Sequence, residues 1–205
     1  MKLYNSIGPN PHVVNMFIAE KGLDIPKVQI DLLGGENRRA DYGKINPSQT
    51  MPALELDDGT VLSEITVLCE YLEELHPSPS LIGQTAQERG ETRMWVRRID
   101  LNICEPLTNG FRFSEGLGLF ENRLHCIPQA AADLKATAQK NLTWLDGLMA
   151  GKTWIAGDRF TLADILLYCF LAFGEGVGQP LNPDNKNIAA WYARAKARPS
   201  AAASA

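Results

Sequence analysis

Positive charge, paired cysteines, clustered histidines and long apolar runs are all scarce in this 205-residue chain. Twenty lysines and arginines stand against 24 aspartates and glutamates, a formal net charge of −4. A general binder of nucleic acid or of anionic membrane needs a basic surface, so neither partner is expected. No apolar run approaches the ~18 residues of a membrane span. The opening "MKLYNSIGPN" holds one lysine and a short apolar patch before its proline, which does not read as a secretory signal. The four cysteines (69, 104, 126 and 169) form no CxxC pair, so neither a disulfide framework nor a zinc site is expected. Cys69 and Cys169 lie in apolar helical stretches, where a thiol reads as a small buried hydrophobe. His12, His76 and His125 are scattered, and no metal is expected. The setting these absences describe is reduced and cytoplasmic.

What is present is a chain of 45% hydrophobic residues, enough for one large domain or two small ones. Its first 76 residues alternate in texture. "KLYNSI" reads as a strand, "PHVVNMFIAEKG" as a helix closed by Gly22, and "KVQIDLL" as a half-buried strand. "MPALELDDGTVLS" reads as a hairpin turning at Asp57-Asp58-Gly59, and "SEITVLCEYLEELHP" as an amphipathic helix stopped by Pro77. The order is βαβ, then ββα: a parallel crossover followed by an antiparallel hairpin on one mixed sheet.

A proline-rich linker, "HPSPSLIGQTAQ", leads to a half with no convincing strand. Helices are expected near 86–113, 128–149, 161–173 and 186–198, with a kink or break at Pro106. Leu134, Ala138, Leu142, Leu145 and Leu148 form one apolar stripe. In "GDRFTLADILLYCFLAF", Thr161 and Asp164 stand as N-cap and N3 of a capping box, with Phe160 and Ile165 spaced as a hydrophobic staple. The run after them is apolar all round, marking a buried central helix. The "SAAASA" tail reads as frayed.

The turn "SIGPNPHVV" crowds Gly8, Pro9 and Pro11 around one amide, Asn10. Asn10 followed by proline is a good N-cap with Pro11 at N1, so this dipeptide announces a helix start. Such a start also places partial positive charge and free N–H groups at one point.

Taken in order, the β-α-β-β-β-α module, "NPSQTMPALELDDGTVLSE" (46–64) and "GDRFTLADILL" (157–167) resemble the cytosolic glutathione transferases over essentially the whole chain. "GPN" (8–10) is similar to the TPN turn of bacterial nu-class members, and Asn10 stands where the beta class has its cysteine; theta-like relatives are comparable. The resemblance implies a thioredoxin-like N-terminal domain (1–78), a linker (79–86) and an all-α helical bundle (87–205). It also implies a homodimer, with glutathione as co-substrate and a small electrophile or disulfide as second substrate. The activity implied is attack by the glutathione thiolate, or disulfide reduction, with a non-catalytic glutathione-binding role as the alternative. By the same resemblance Met51-Pro52 is cis and offers backbone to the cysteinyl residue, Glu64 takes the γ-glutamyl ammonium, and Thr50 lies near the glycyl end. Ile65 replaces the serine that binds the γ-glutamyl carboxylate in relatives, leaving Thr66 or backbone amides to serve. Asn10 ranks first as thiol partner, Ser6 second and Tyr4 third. Some of Trp95, Arg98, Asn102, Phe111 and Arg112 are placed by the co-substrate, although the arginines read more readily as a solvated helix face.

Overall fold

The computed structural model describes residues 1–204. The chain divides into two compact units, Met1–Leu81 together with the terminal segment from Pro199, and Ile82–Arg198. The first unit holds a four-stranded sheet in the order β2-β1-β3-β4, formed by β1 (Lys2–Asn5), β2 (Lys27–Gln29), β3 (Ala53–Glu55) and β4 (Val61–Ser63). β1 and β2 are parallel across α1 (Pro9–Lys21), whereas β3 is antiparallel to both β1 and β4. This is the βαβ-ββα order on a mixed sheet that the alternating texture implies.

Leu3 faces Leu54 across the sheet and Tyr4 faces Ala53. Neighbouring strand residues point to opposite faces, so these pairs feed two cores. Tyr4, Ile30, Tyr42, Met51 and Ala53 make one of them. Val13, Phe17, Leu68 and Leu72, from α1 and α3 (Ile65–Leu75), are sealed from solvent, and those two helices pack together. β2 departs from the expected half-buried alternation. Its three residues are all exposed, because it is an edge strand paired only with β1, and burial returns at Ile30. The polar stretch after it holds a 3₁₀ turn (Glu36–Arg38) and α2 (Ala40–Ile45), which no apolar periodicity announces.

α1 stops at Gly22, whose φ of 64° supplies the left-handed cap expected there. Just before it Lys21 is buried, paired with Glu73 and donating to the carbonyls of His76 and Pro79. Glu73 also accepts from Ser80 Oγ and the Leu81 N–H. A buried ion pair holds only when such extra hydrogen bonds offset desolvation, and here both charges have them.

The second unit comprises α4 (Ala86–Ile99), a π-helical stretch (Asp100–Cys104), α5 (Glu105–Arg112), α6 (Leu117–Phe120), α7 (Ala131–Leu148), α8 (Leu162–Gly176) and α9 (Lys186–Lys196). The break foreseen at Pro106 is a widened turn. Proline cannot donate to the Asn102 carbonyl one turn back. Asn141 of α7 supplies that bond instead, Nδ2 to O at 2.9 Å, and the helix resumes. α8 is the buried centre, with every residue from Leu162 to Leu171 shielded. Of the α7 stripe, Ala138, Leu142 and Leu145 are buried, while Leu148 is exposed. The tail is ordered rather than frayed: α10 (Pro199–Ser204) packs on α1, burying Ser200, Ala201 and Ser204, and the Ser200 hydroxyl donates to Glu20. Small side chains let this short helix lie close. Among the described residues no helix is long and apolar enough to cross a membrane.

Candidate functional site

Register decides which segments meet. Tyr4 pairs with Ala53 and Ala53 with Ser63. The end of β1, the start of β3 and the end of β4 therefore lie at one end of the sheet. The turn 6–10, the segment 50–52 and the turn 63–66 all emerge there.

The first turn differs from its sequence reading. α1 begins at Pro9, and its N-cap is Gly8 rather than Asn10. Gly8 sits at φ 115°, a conformation open to glycine, and Pro9 takes N1, where its fixed φ suits the helix. Asn10 is thus N2 and Pro11 N3. The first N–H groups of a helix have no intrahelical partner. Here the two prolines carry none, and the His12 N–H bonds to the Gly8 carbonyl at 3.2 Å. The backbone N–H of Asn10 is left as the open donor of this turn, beside its own half-buried side-chain amide. No side chain caps the start.

The hydroxyls nearby are engaged elsewhere. Ser6 Oγ donates to the Ile30 carbonyl at 2.7 Å. Tyr4 is buried in the sheet core and donates to Glu55 at 2.6 Å. Burial and that carboxylate both push its pKa up. Beneath the turn, Asn5 Oδ1 accepts from buried Asn15 and Asn5 Nδ2 donates to Gln29 on β2, so the turn is anchored to both its neighbours.

Met51-Pro52 is cis, and β3 begins only at Ala53, so the Met51 backbone lies outside the ladder. Thr50 is exposed, and its hydroxyl approaches Ser48 at 3.4 Å. Behind it Asn37, Tyr42 and Asn46 hydrogen-bond the carbonyls of residues 49 and 50. Sequence reasoning passed over these three. The Asn-Pro pair at 46–47 and an aromatic stranded in a polar stretch were the available signals.

At the third turn Glu64 is the N-cap of α3. It is exposed, with φ 73°, a left-handed conformation that costs a side-chain-bearing residue roughly 1–3 kcal/mol. Ile65 and Thr66 take N1 and N2, and no side chain caps their N–H groups. A carboxylate is what such a start attracts. In the second unit, Trp95 is buried with the Arg98 guanidinium 5.2 Å over its ring. Asn102 donates to the Arg98 carbonyl, Phe111 meets Phe120 and Phe173 edge-on, and Arg112 donates to Asn109.

Residues 7–75 match the family described as glutathione S-transferase, N-terminal domain, and residues 127–199 its C-terminal domain. Glutathione S-transferase 2 of Saccharomyces cerevisiae is 32% identical over 94% of this chain and 84% of its own length. The chain belongs to the glutathione S-transferase family. Maleylacetoacetate isomerase of Pseudomonas aeruginosa is similar at 30% identity, over 89% of this chain and 85% of its own. The crystal structure of Gtt2 from Saccharomyces cerevisiae superposes with a TM-score of 0.93 at 31% identity, covering the whole of both chains. Its two-part architecture, a thioredoxin-like sheet unit followed by helices, is that of the glutathione transferases.

Proposed function

We propose that this chain is a glutathione transferase that binds glutathione at the end of its sheet and lowers the pKa of its thiol, so that the thiolate attacks a small hydrophobic electrophile. One observation carries the reading: at the start of α1, Asn10 has its backbone N–H and its side-chain amide uncommitted, while the hydroxyl proton of Ser6 is already given to Ile30. Hydrogen bonds to the charged form of a thiol favour ionisation, and a helix N-terminus adds to that effect.

In the mechanism, the thiol proton passes to solvent and Asn10 holds the resulting thiolate. The sulfur then forms a bond to the electrophilic carbon as the leaving group departs with its electron pair. The protein's part is to ionise and to position. Met51 pairs its backbone with the cysteinyl residue, the Ile65 and Thr66 N–H groups receive the γ-glutamyl carboxylate, and Glu64 takes the ammonium. Thr50 lies by the glycyl end, and the working species is a homodimer. A second reading, a glutathione-binding protein with little turnover, is favoured by Ile65, which offers no hydroxyl. An isomerase or a disulfide reductase would use the same thiolate.

Ultraviolet difference titration of the protein with glutathione near neutral pH separates these. Saturable binding with more thiolate than free glutathione shows, reduced in Asn10→Ala, is the expected result. Saturable binding without added thiolate would leave only the binding role, and no binding would overturn both.

A further inference from the structure

The carbonyl oxygen of Thr50 accepts two side-chain hydrogen bonds, from Tyr42 Oη at 2.8 Å and from Asn46 Nδ2 at 2.9 Å. The carbonyl before it, that of Gln49, accepts from Asn37 Nδ2 at 2.7 Å. All three donors are buried, whereas Thr50 itself is exposed. Gln49 holds φ 55°, a left-handed conformation rarely adopted by a residue with a side chain. Three buried donors thus converge on two consecutive carbonyls at the surface.

The Thr50 C=O and the Met51 N–H belong to one planar trans peptide, in which they point in opposite directions. Fixing the carbonyl against the core therefore aims the Met51 N–H away from it. Both strong approaches to the Thr50 oxygen are also filled, so a ligand backbone finds the Met51 carbonyl as its acceptor instead. We propose that Tyr42 and Asn46 are positioning residues that orient the Met51 peptide for pairing with the backbone of an extended thiol peptide. This rests on the glutathione reading given above. Burial pushes the Tyr42 pKa up to about 12, so its hydroxyl stays a donor throughout the range of any assay.

Two near-isosteric variants test it. Tyr42→Phe removes one oxygen and keeps the ring edge-on to Tyr4 at 6.0 Å. Asn46→Asp keeps the Oδ1 that accepts the Ser48 N–H and hydroxyl, and replaces only the donor to Thr50. In Tyr42→Phe the dissociation constant for glutathione should rise about 3- to 10-fold, the worth of one hydrogen bond. Turnover of an activated aryl halide at saturating glutathione should stay within about twofold, since only binding geometry is touched. Asn46→Asp sets an oxygen against an oxygen and should lose more. S-methylglutathione, which has no thiol, should show the same loss of affinity in each variant. A lower melting temperature with unchanged affinity in both variants would make these residues merely structural and overturn the proposal. So would a loss seen with glutathione but not with its S-methyl form. If the wild type binds neither compound, the glutathione reading falls and takes this with it.

Discussion

Two kinds of helix start coexist in this chain. In the second unit, α4 and α8 begin on Thr85 and Thr161, whose hydroxyls accept first-turn N–H groups, and Glu88 and Asp164 bond back to the cap backbone. In the first unit, α1 and α3 begin on Gly8 and Glu64, both at positive φ, with no side-chain cap at all. A closed start has committed its donors to its own chain, and an open one leaves them uncommitted. On the proposed reading the open starts of α1 and α3 serve glutathione while the boxed starts of α4 and α8 serve stability, and each side of that contrast can be tested by itself.

The largest effect is expected at the closed end. Asp164 is fully buried and accepts from the N–H groups of Ile155 and Thr161, from Thr161 Oγ1 and from Trp191 Nε1 at 2.8 Å. It ties the α8 start to α9 and to the loop before it. Asp164→Ala orphans several buried donors at once and should cost about 3–5 kcal/mol in urea unfolding. Per folded molecule, glutathione affinity should be unchanged, since the open starts are untouched; a parallel loss would collapse the separation. The same carboxyl sets a pH dependence. Its donors favour the ionised form, but burial outweighs them and raises its pKa from 3.8 to about 6. A carboxyl raised on folding stabilises the fold below its unfolded pKa, and that contribution is lost as pH rises through the folded one. Between pH 4 and 7 it should fall by about 2 kcal/mol. The slope of stability against pH in this window should thus be more negative in the wild type than in Asp164→Asn. Equal slopes would show that the site does not titrate there. Glu115 works the other way, held down to about 2 by Lys135, and both proteins share it.

The open starts are also where the sequence was hardest to read. The capping box at 161–164 was legible because its residues state their roles: a hydroxyl, a carboxylate three places on, then apolar residues without interruption. The element order βαβ-ββα and the hairpin at Asp57-Asp58-Gly59 were legible too, from alternating apolar runs and a turn pair. Asn10 was misplaced by two positions within its helix because Asn-Pro is itself a cap signal. That Gly8 would take the cap rests on its positive φ, which glycine permits but no local pattern announces. α2 stayed hidden because it buries Tyr42 and little else. The tie from Asn141 to the Asn102 carbonyl joins residues 39 positions apart that no local pattern links.

Asn10→Ala gives the next effect down. Losing a hydrogen bond to a thiolate should slow turnover about 10- to 100-fold, while stability moves by under about 0.5 kcal/mol, because Asn10 is not the cap. A stability loss near 1 kcal/mol, as for a missing N-cap, with turnover intact would reverse the assignment. Ser6→Ala is the companion, since its proton already serves Ile30. Its turnover should fall far less than that of Asn10→Ala.

The smallest effect lies in Glu64, and its sign is the informative part. At φ 73° the residue holds a conformation that glycine adopts freely. Glu64→Gly should therefore raise unfolding stability by up to about 1 kcal/mol, less what glycine gains in unfolded-chain freedom. It should also weaken glutathione binding by removing the acceptor for the ammonium. Glu64→Ala separates the two causes, keeping the backbone strain and losing only the carboxylate. If both variants bind glutathione equally weakly and only the glycine is stabilised, the strained start is kept for the side chain it presents. If the alanine binds as the wild type does and the glycine does not, the pinned backbone is what the ligand reads, and the Ile65 and Thr66 amides carry that end of the site.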